Sequence, residues 1–160
     1  MARYIIIALI FFVTSCKTTE QLIKPNNEKI DIISFDAVTK SLEFKDYEQN
    51  QLNSIGKQLI YEWYNQQIKT NGFDGSLKVI VTNLDTDVEK KDDYFRVTAN
   101  ISIQFNLENN TLSSKKSLNV SASEFSEISG KFSILDQENL SANTLKATLK
   151  KITIELNNLI

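Results

Sequence analysis

The sequence predicts an α+β fold, a two-layer sandwich in which a four-stranded mixed sheet carries two helices on one face, in the order β-α-β-β-β-α. Three observations predict it. Phe95, Val97, Ala99, Ile101, Ile103, Phe105 and Leu107 alternate with Arg96, Thr98, Asn100, Ser102, Gln104 and Asn106, and such alternation means a strand with one buried face and one in water. Leu52, Ile55, Leu59 and Trp63 recur at three and four residues, as do Leu145, Leu149, Ile152, Leu156 and Leu159. That spacing gathers apolar side chains on one face of a helix. Because the clearest strand has one polar face, both helices must cover the same side of the sheet.

The elements follow in order. Ile30, Ile32 and Phe35 within KIDIISFDAV make a first strand. Asp46 offers a helix N-cap, with Gln49 three residues on in capping-box spacing. Asn71-Gly72 ends that first helix, since glycine takes the left-handed conformation after a helix without a Cβ penalty. Gly56 lets the helix approach its sheet closely. LKVIVTNL, residues 77 to 84, is the second strand and the alternation at 95 to 107 the third. Glu108 to Thr111 form a hairpin turn, after which Leu118, Val120 and Ala122 continue the buried face on strand four. A last helix, amphipathic because Lys146, Lys150 and Lys151 interrupt its stripe, follows Ser133. The first helix is long enough to cross over between parallel strands, and the remaining strands form an antiparallel meander.

The amino-terminal residues have a separate logic. Arg3 precedes nine apolar residues, IIIALIFFV from Ile5 to Val13. Spanning a bilayer takes about 20 apolar residues. The run instead suits the apolar core of a signal peptide, roughly 7 to 15 residues long. Val13-Thr14-Ser15-Cys16 then resembles the lipobox of bacterial lipoproteins: an aliphatic residue, two small residues, and the only cysteine in the chain. The resemblance implies a signal peptide over residues 1 to 15, cleavage before Cys16, a diacylglycerol on its sulfur and an acylated amino group, so that Cys16 is the lipidation site. The alternative, secretion with a free thiol, leaves an odd cysteine exposed in an oxidising compartment, where it is a liability. Residues 16 to 28 hold the lipidated cysteine and a polar tether containing the only proline, Pro25, and residues 29 to 160 form a single α/β domain.

Charge and composition narrow the function classes. The 160 residues carry 18 basic and 20 acidic side chains. Loss of Arg3 with the signal leaves 17 against 20, which gives no electrostatic footprint for nucleic acid. The absence of histidine removes the commonest general base, the Ser-His-Asp and Cys-His arrangements and most zinc sites. Ser54-Ile55-Gly56-Lys57 and Ser113-Ser114-Lys115-Lys116 have the S-x-x-K spacing of serine acyl-transferases, but the partner motifs S-D-N and K-T-G are missing. Asp85-Thr86-Asp87-Val88-Glu89 opens like a calcium loop and departs from one at Lys90 and Arg96; it reads as a solvated hairpin connection. Gly72-Phe73-Asp74-Gly75 follows a helix and precedes a strand, the reverse of a nucleotide-binding turn, and reads as turn geometry. No catalytic residue, metal site or cofactor is expected.

Two basic pairs are candidate contacts. Lys115 and Lys116 could meet the phosphates of an anionic glycolipid, as could Lys90 and Lys91; the plainer account is that such pairs keep a loop solvated and block edge-to-edge strand pairing. Trp63, on the apolar helical face, is expected in the core.

A lipobox cysteine, a short tether and β-α-β-β-β-α ending in an amphipathic helix together resemble the lipopolysaccharide-assembly lipoprotein family of Gram-negative bacteria. The stretch most similar in style is FSEISGKFSILDQENLSANTLKATLKKITIELNNLI, residues 125 to 160. Trp63 and the Asn71 to Gly75 connection look more like small lipoproteins of similar architecture. The resemblance implies a non-enzymatic lipoprotein of the outer membrane, facing the periplasm, held by membrane lipid through acylated Cys16 and partnered by an outer-membrane barrel protein or lipopolysaccharide. An accessory lipoprotein of a membrane transporter is the second reading.

Overall fold

The structure, a computed structural model, describes residues 31–45, 50–109, 111 and 113–160. The signal segment, Cys16, the tether, Ile30 and the expected cap pair Asp46 and Gln49 lie outside the described residues. The elements run β1 (Ile33–Phe35), β2 (Thr39–Phe44), α1 (Gln51–Gln67), β3 (Ile68–Thr70), β4 (Ser76–Lys91), β5 (Tyr94–Asn109), β6 (Ser114–Ser129) and α2 (Ile134–Leu159). A four-stranded sheet has the order β2-β4-β5-β6, and β1 pairs with β3 in a separate parallel ribbon. β2 lies parallel to β4, while β4, β5 and β6 form an antiparallel meander. The fold is the expected α+β arrangement, with a four-stranded mixed sheet and two helices.

The strand that joins the main sheet ahead of α1 is β2, not the expected run from Ile30 to Phe35. In β1 the buried residues are Ile33 and Phe35, whereas Ile32 is 60% exposed. With consecutive isoleucines at 32 and 33, the inward face is settled by the pairing of Ile33 with Ile68 and Phe35 with Thr70.

Helix α1 starts at Gln51, capped by the Asn50 side chain, which accepts from the Asn53 amide at 2.7 Å. It ends earlier than Asn71-Gly72. Ile68 turns to extended backbone (φ −88°, ψ 115°) and opens β3. The Lys40 ammonium of β2 donates to the carbonyls of Tyr64 (3.1 Å) and Ile68 (2.5 Å), placing a cation where the helix dipole is negative. Burial, helped by the nearby Lys69 charge, holds the Lys40 pKa below the usual lysine range. Gly72 therefore has another task than capping. A Cβ there would lie against the Asp36 side chain and 2.5 Å from the Ala37 nitrogen, so glycine permits the β3–β4 connection to run alongside the β1–β2 turn.

Strand β4 runs from Ser76 to Lys91, through the segment expected as a hairpin connection at Asp85 to Glu89. The register passes from Val81↔Ile103 to Asn83↔Ser102, so a one-residue bulge at Thr82 resets the alternation. Leu77, Val79, Val81 and then Leu84 and Thr86 are buried, and Asp85, Asp87 and Glu89 take the open face. The turn beyond is only Asp92-Asp93. Likewise Glu108 and Asn109 still belong to β5, and β6 opens at Ser114, directly after Ser113 at positive φ.

Helix α2 begins as expected at Ser133. Ser133 Oγ accepts from the Asp136 amide, and Asp136 Oδ2 accepts from the Ser133 amide at 2.7 Å. The Ser133 amide and hydroxyl, both donating to Asp136 Oδ2, hold the Asp136 carboxyl below the usual range. Leu145, Leu149, Ile152 and Leu156 are buried, while Leu159 is half exposed at the end of the helix. At Gly56 a Cβ would sit 3.0 Å from Leu84 and 3.3 Å from Leu145, so this glycine brings α1 close to both sheet and partner helix.

The core fills the space between the sheet and the helices. Phe105, the inward residue near the middle of the sheet, stacks on Phe35 (5.7 Å, 12°) and meets Trp63 edge-on (6.5 Å, 70°). Burying each such side chain contributes about 1.5–3 kcal/mol. Trp63 is in the core, as its helical position implies. Among the described residues, no helix is long and apolar enough to cross a membrane.

Candidate functional site

Alternation along the strands decides what the open face of the sheet presents. Odd positions of β5 from Phe95 to Phe105 are buried, so Asn106, Gln104, Ser102, Asn100 and Thr98 face outward beside the outward residues of β6. Cross-strand hydrogen bonds order this surface. Ser117 Oγ donates to Asn106 Oδ1 (2.8 Å) and accepts from Gln104 Nε2 (3.1 Å), and Ser121 Oγ donates to Ser102 Oγ (2.9 Å).

At the end of the sheet where β4 begins and β6 leaves its hairpin, the same face carries a hollow of about 440 Å³. Lys78, Lys115 and Lys116 line it together with Gln104, Asn106 and Ser117. Neighbours on a strand start from opposite faces, yet Lys115 and Lys116 both border this hollow. Lys115 and Lys116 stand out in the sequence as an adjacent pair, whereas the signal for Lys78 is its place between the inward residues Leu77 and Val79. With Glu108 also at the rim and Glu43 beside Lys78, three ammonium groups stand against two carboxylates.

Two of the lysines have ionic partners: Lys115 pairs with Glu108 at 2.8 Å and Lys78 with Glu43 at 2.9 Å. The Lys115 side chain is 77% exposed, and such a pair contributes little and exchanges readily for another anion. Lysines beside amide and hydroxyl groups suit an oxyanion attached to a polyhydroxylated group. The other basic pair sits at the far end of the sheet, where Lys91 is bound to Glu89 at 3.0 Å. Cys16 lies outside the described residues.

A second cleft, about 750 Å³, runs between α1 and α2. Its lining balances Asp31 and Glu62 against Lys146 and Lys150. Its floor is committed to structure: the Trp63 indole donates to Thr153 Oγ1, which lies 2.9 Å from Gln67 Oε1. Among the described residues, no group of three or more acidic or thiol side chains could hold a metal ion.

No known protein family matches the sequence, and comparison with curated proteins finds no match. Among solved structures, the chain is similar to a minor lipoprotein from Acinetobacter baumannii, with 11% identity, a TM-score of 0.42, and 73% of this chain and 88% of that one covered. It is similar to a Xanthomonas campestris protein of the DUF330 family (11% identity, TM-score 0.38, 81% and 85% covered). It is also similar to rare lipoprotein B from Shewanella oneidensis (10% identity, TM-score 0.30, 76% and 98% covered). At scores this low the likenesses carry no argument about what this chain does.

Proposed function

We propose that the chain is a lipid-anchored, non-enzymatic lipoprotein of the bacterial envelope, facing the periplasm from the outer membrane. It assists outer-membrane or lipopolysaccharide assembly by holding a glycolipid, or the barrel protein that handles one, at the lysine-lined end of its sheet. One observation carries this reading: the only cysteine, Cys16, stands at the lipobox position behind an apolar run too short to span a bilayer. One acyl chain holds a protein marginally, and two or more hold it stably.

Anchoring makes weak recognition sufficient, because a tethered domain meets its ligand at high effective concentration. In the hollow, Lys78, Lys115 and Lys116 would face phosphate oxygens, while Gln104, Asn106 and Ser117 would meet sugar hydroxyls. Lys17 directly follows the cysteine. Aspartate in that place marks inner-membrane retention in enteric bacteria, so lysine favours outer-membrane sorting.

The test is capture of lipopolysaccharide by the purified chain and by its Lys115→Glu/Lys116→Glu variant. The reading predicts weaker capture by the variant and a loss of wild-type capture as salt rises, since exposed charge contacts are screened. Equal, salt-independent capture by both would remove the hollow from the account. Cross-linking in cells that trapped an inner-membrane transporter, with no barrel or glycolipid, would favour an accessory role in transport.

A further inference from the structure

The connection between β3 and β4 holds Phe73 fully exposed. Its loop is braced on several sides. The Gly72 amide donates to the Ala37 carbonyl (3.0 Å), the Asn71 amide to Phe35 (3.1 Å) and the Val38 amide to Gly75 (3.2 Å). Asp74 accepts from the Gly75 amide through one carboxylate oxygen (2.7 Å) and from the Thr111 amide through the other (2.6 Å). Gly75 has φ +86°, which glycine adopts without strain. A large apolar side chain is thus presented to water by a rigid loop, next to the turn that carries the exposed Val38.

We propose that Phe73 inserts into the surface of the bilayer that holds Cys16, docking this end of the domain on the lipid. The proposal rests on the anchored reading of the chain. Three further observations support it. The Asp74 bond to Thr111 ties the Phe73 loop to the β5–β6 connection, and Gly75 abuts the Glu108 backbone, whose side chain pairs with Lys115. The exposed ring therefore shares one end of the sheet with Lys78, Lys115 and Lys116.

An exposed aromatic side chain at the end of a sheet that also carries lysines matches a lipid interface, where rings settle at headgroup level and ammonium groups attract anionic lipid. The fifteen residue-to-residue steps from Cys16 to Asp31 can span at most about 50 Å when extended. That is ample for this end to turn onto the bilayer.

The experiment uses the full lipidated chain in vesicles of phosphatidylethanolamine and phosphatidylglycerol with brominated acyl chains. Phe73→Trp adds an indole at a fully exposed site and leaves the core intact, and the buried Trp63 of the unmodified chain supplies the baseline. The introduced indole should emit at shorter wavelength than in water and lose most of its emission to bromine, while Trp63 stays unquenched. Vesicle flotation separates the two ideas. A chain that floats with its introduced indole unquenched overturns the docking alone, and a chain that does not float overturns the anchor and the docking with it. A blue shift that arises only after a barrel protein is co-reconstituted, with no quenching by bromine, overturns lipid as the occupant.

Discussion

Trp63 and Thr153, 90 residues apart, share a buried hydrogen bond in which the indole Nε1–H donates to the threonine Oγ1 at 2.8 Å. The bond fastens α1 to α2 across their contact and satisfies the one polar atom of a side chain that otherwise packs on Phe105.

Thr153→Val should therefore cost about 1–3 kcal/mol, the penalty for leaving a buried donor without its partner. Thr153→Ser keeps the hydroxyl and should lose less. Chemical denaturation of both variants measures the difference, and a larger loss in Thr153→Ser than in Thr153→Val would mean that the methyl group, not the bond, matters here.

The two faces of β5 give a second contrast. Phe105→Ala removes a ring packed against Phe35 and Trp63 and should cost about 3–5 kcal/mol. Gln104→Ala, on the open face, should stay within about 0.5 kcal/mol. Denaturant midpoints that moved together would contradict the assigned faces.

Gly72 separates two explanations of one residue. A left-handed position after a helix would accept asparagine at small cost. The observed close approach to Asp36 and Ala37 leaves no space for any Cβ. Gly72→Ala and Gly72→Asn should each destabilise the fold by about 1–3 kcal/mol, as overpacking does. A neutral Gly72→Asn in thermal melts would restore the capping role.

What the sequence made legible follows from where one physical signal dominates. In β5, covered on one face only, the alternation from Phe95 to Phe105 survives intact, and the spacing of Leu145, Leu149, Ile152 and Leu156 marks the buried stripe of α2. β2 was not legible because Thr39–Phe44 is an edge strand whose Leu42 and Phe44 are only partly buried. The second half of β4 was hidden by the bulge at Thr82, which shifts the alternation by one residue and makes Asp85 to Glu89 read as a loop. The hollow was half legible: adjacent Lys115 and Lys116 draw attention, whereas Lys78 joins them only through the β4–β5–β6 register. Phe73 between two glycines marks a turn, but the bond from the Thr111 amide to Asp74 that braces its loop spans 37 residues and has no local signal.

The central claim is the covalent anchor, and the intact mass of the mature chain extracted from bacterial membranes tests it most directly. The account predicts a polypeptide that begins at Cys16 and carries two or three acyl chains on that residue, with none on the Cys16→Ala variant, which stays as uncleaved precursor. A mature chain with an unmodified thiol, or one that retains residues 1 to 15, would contradict it.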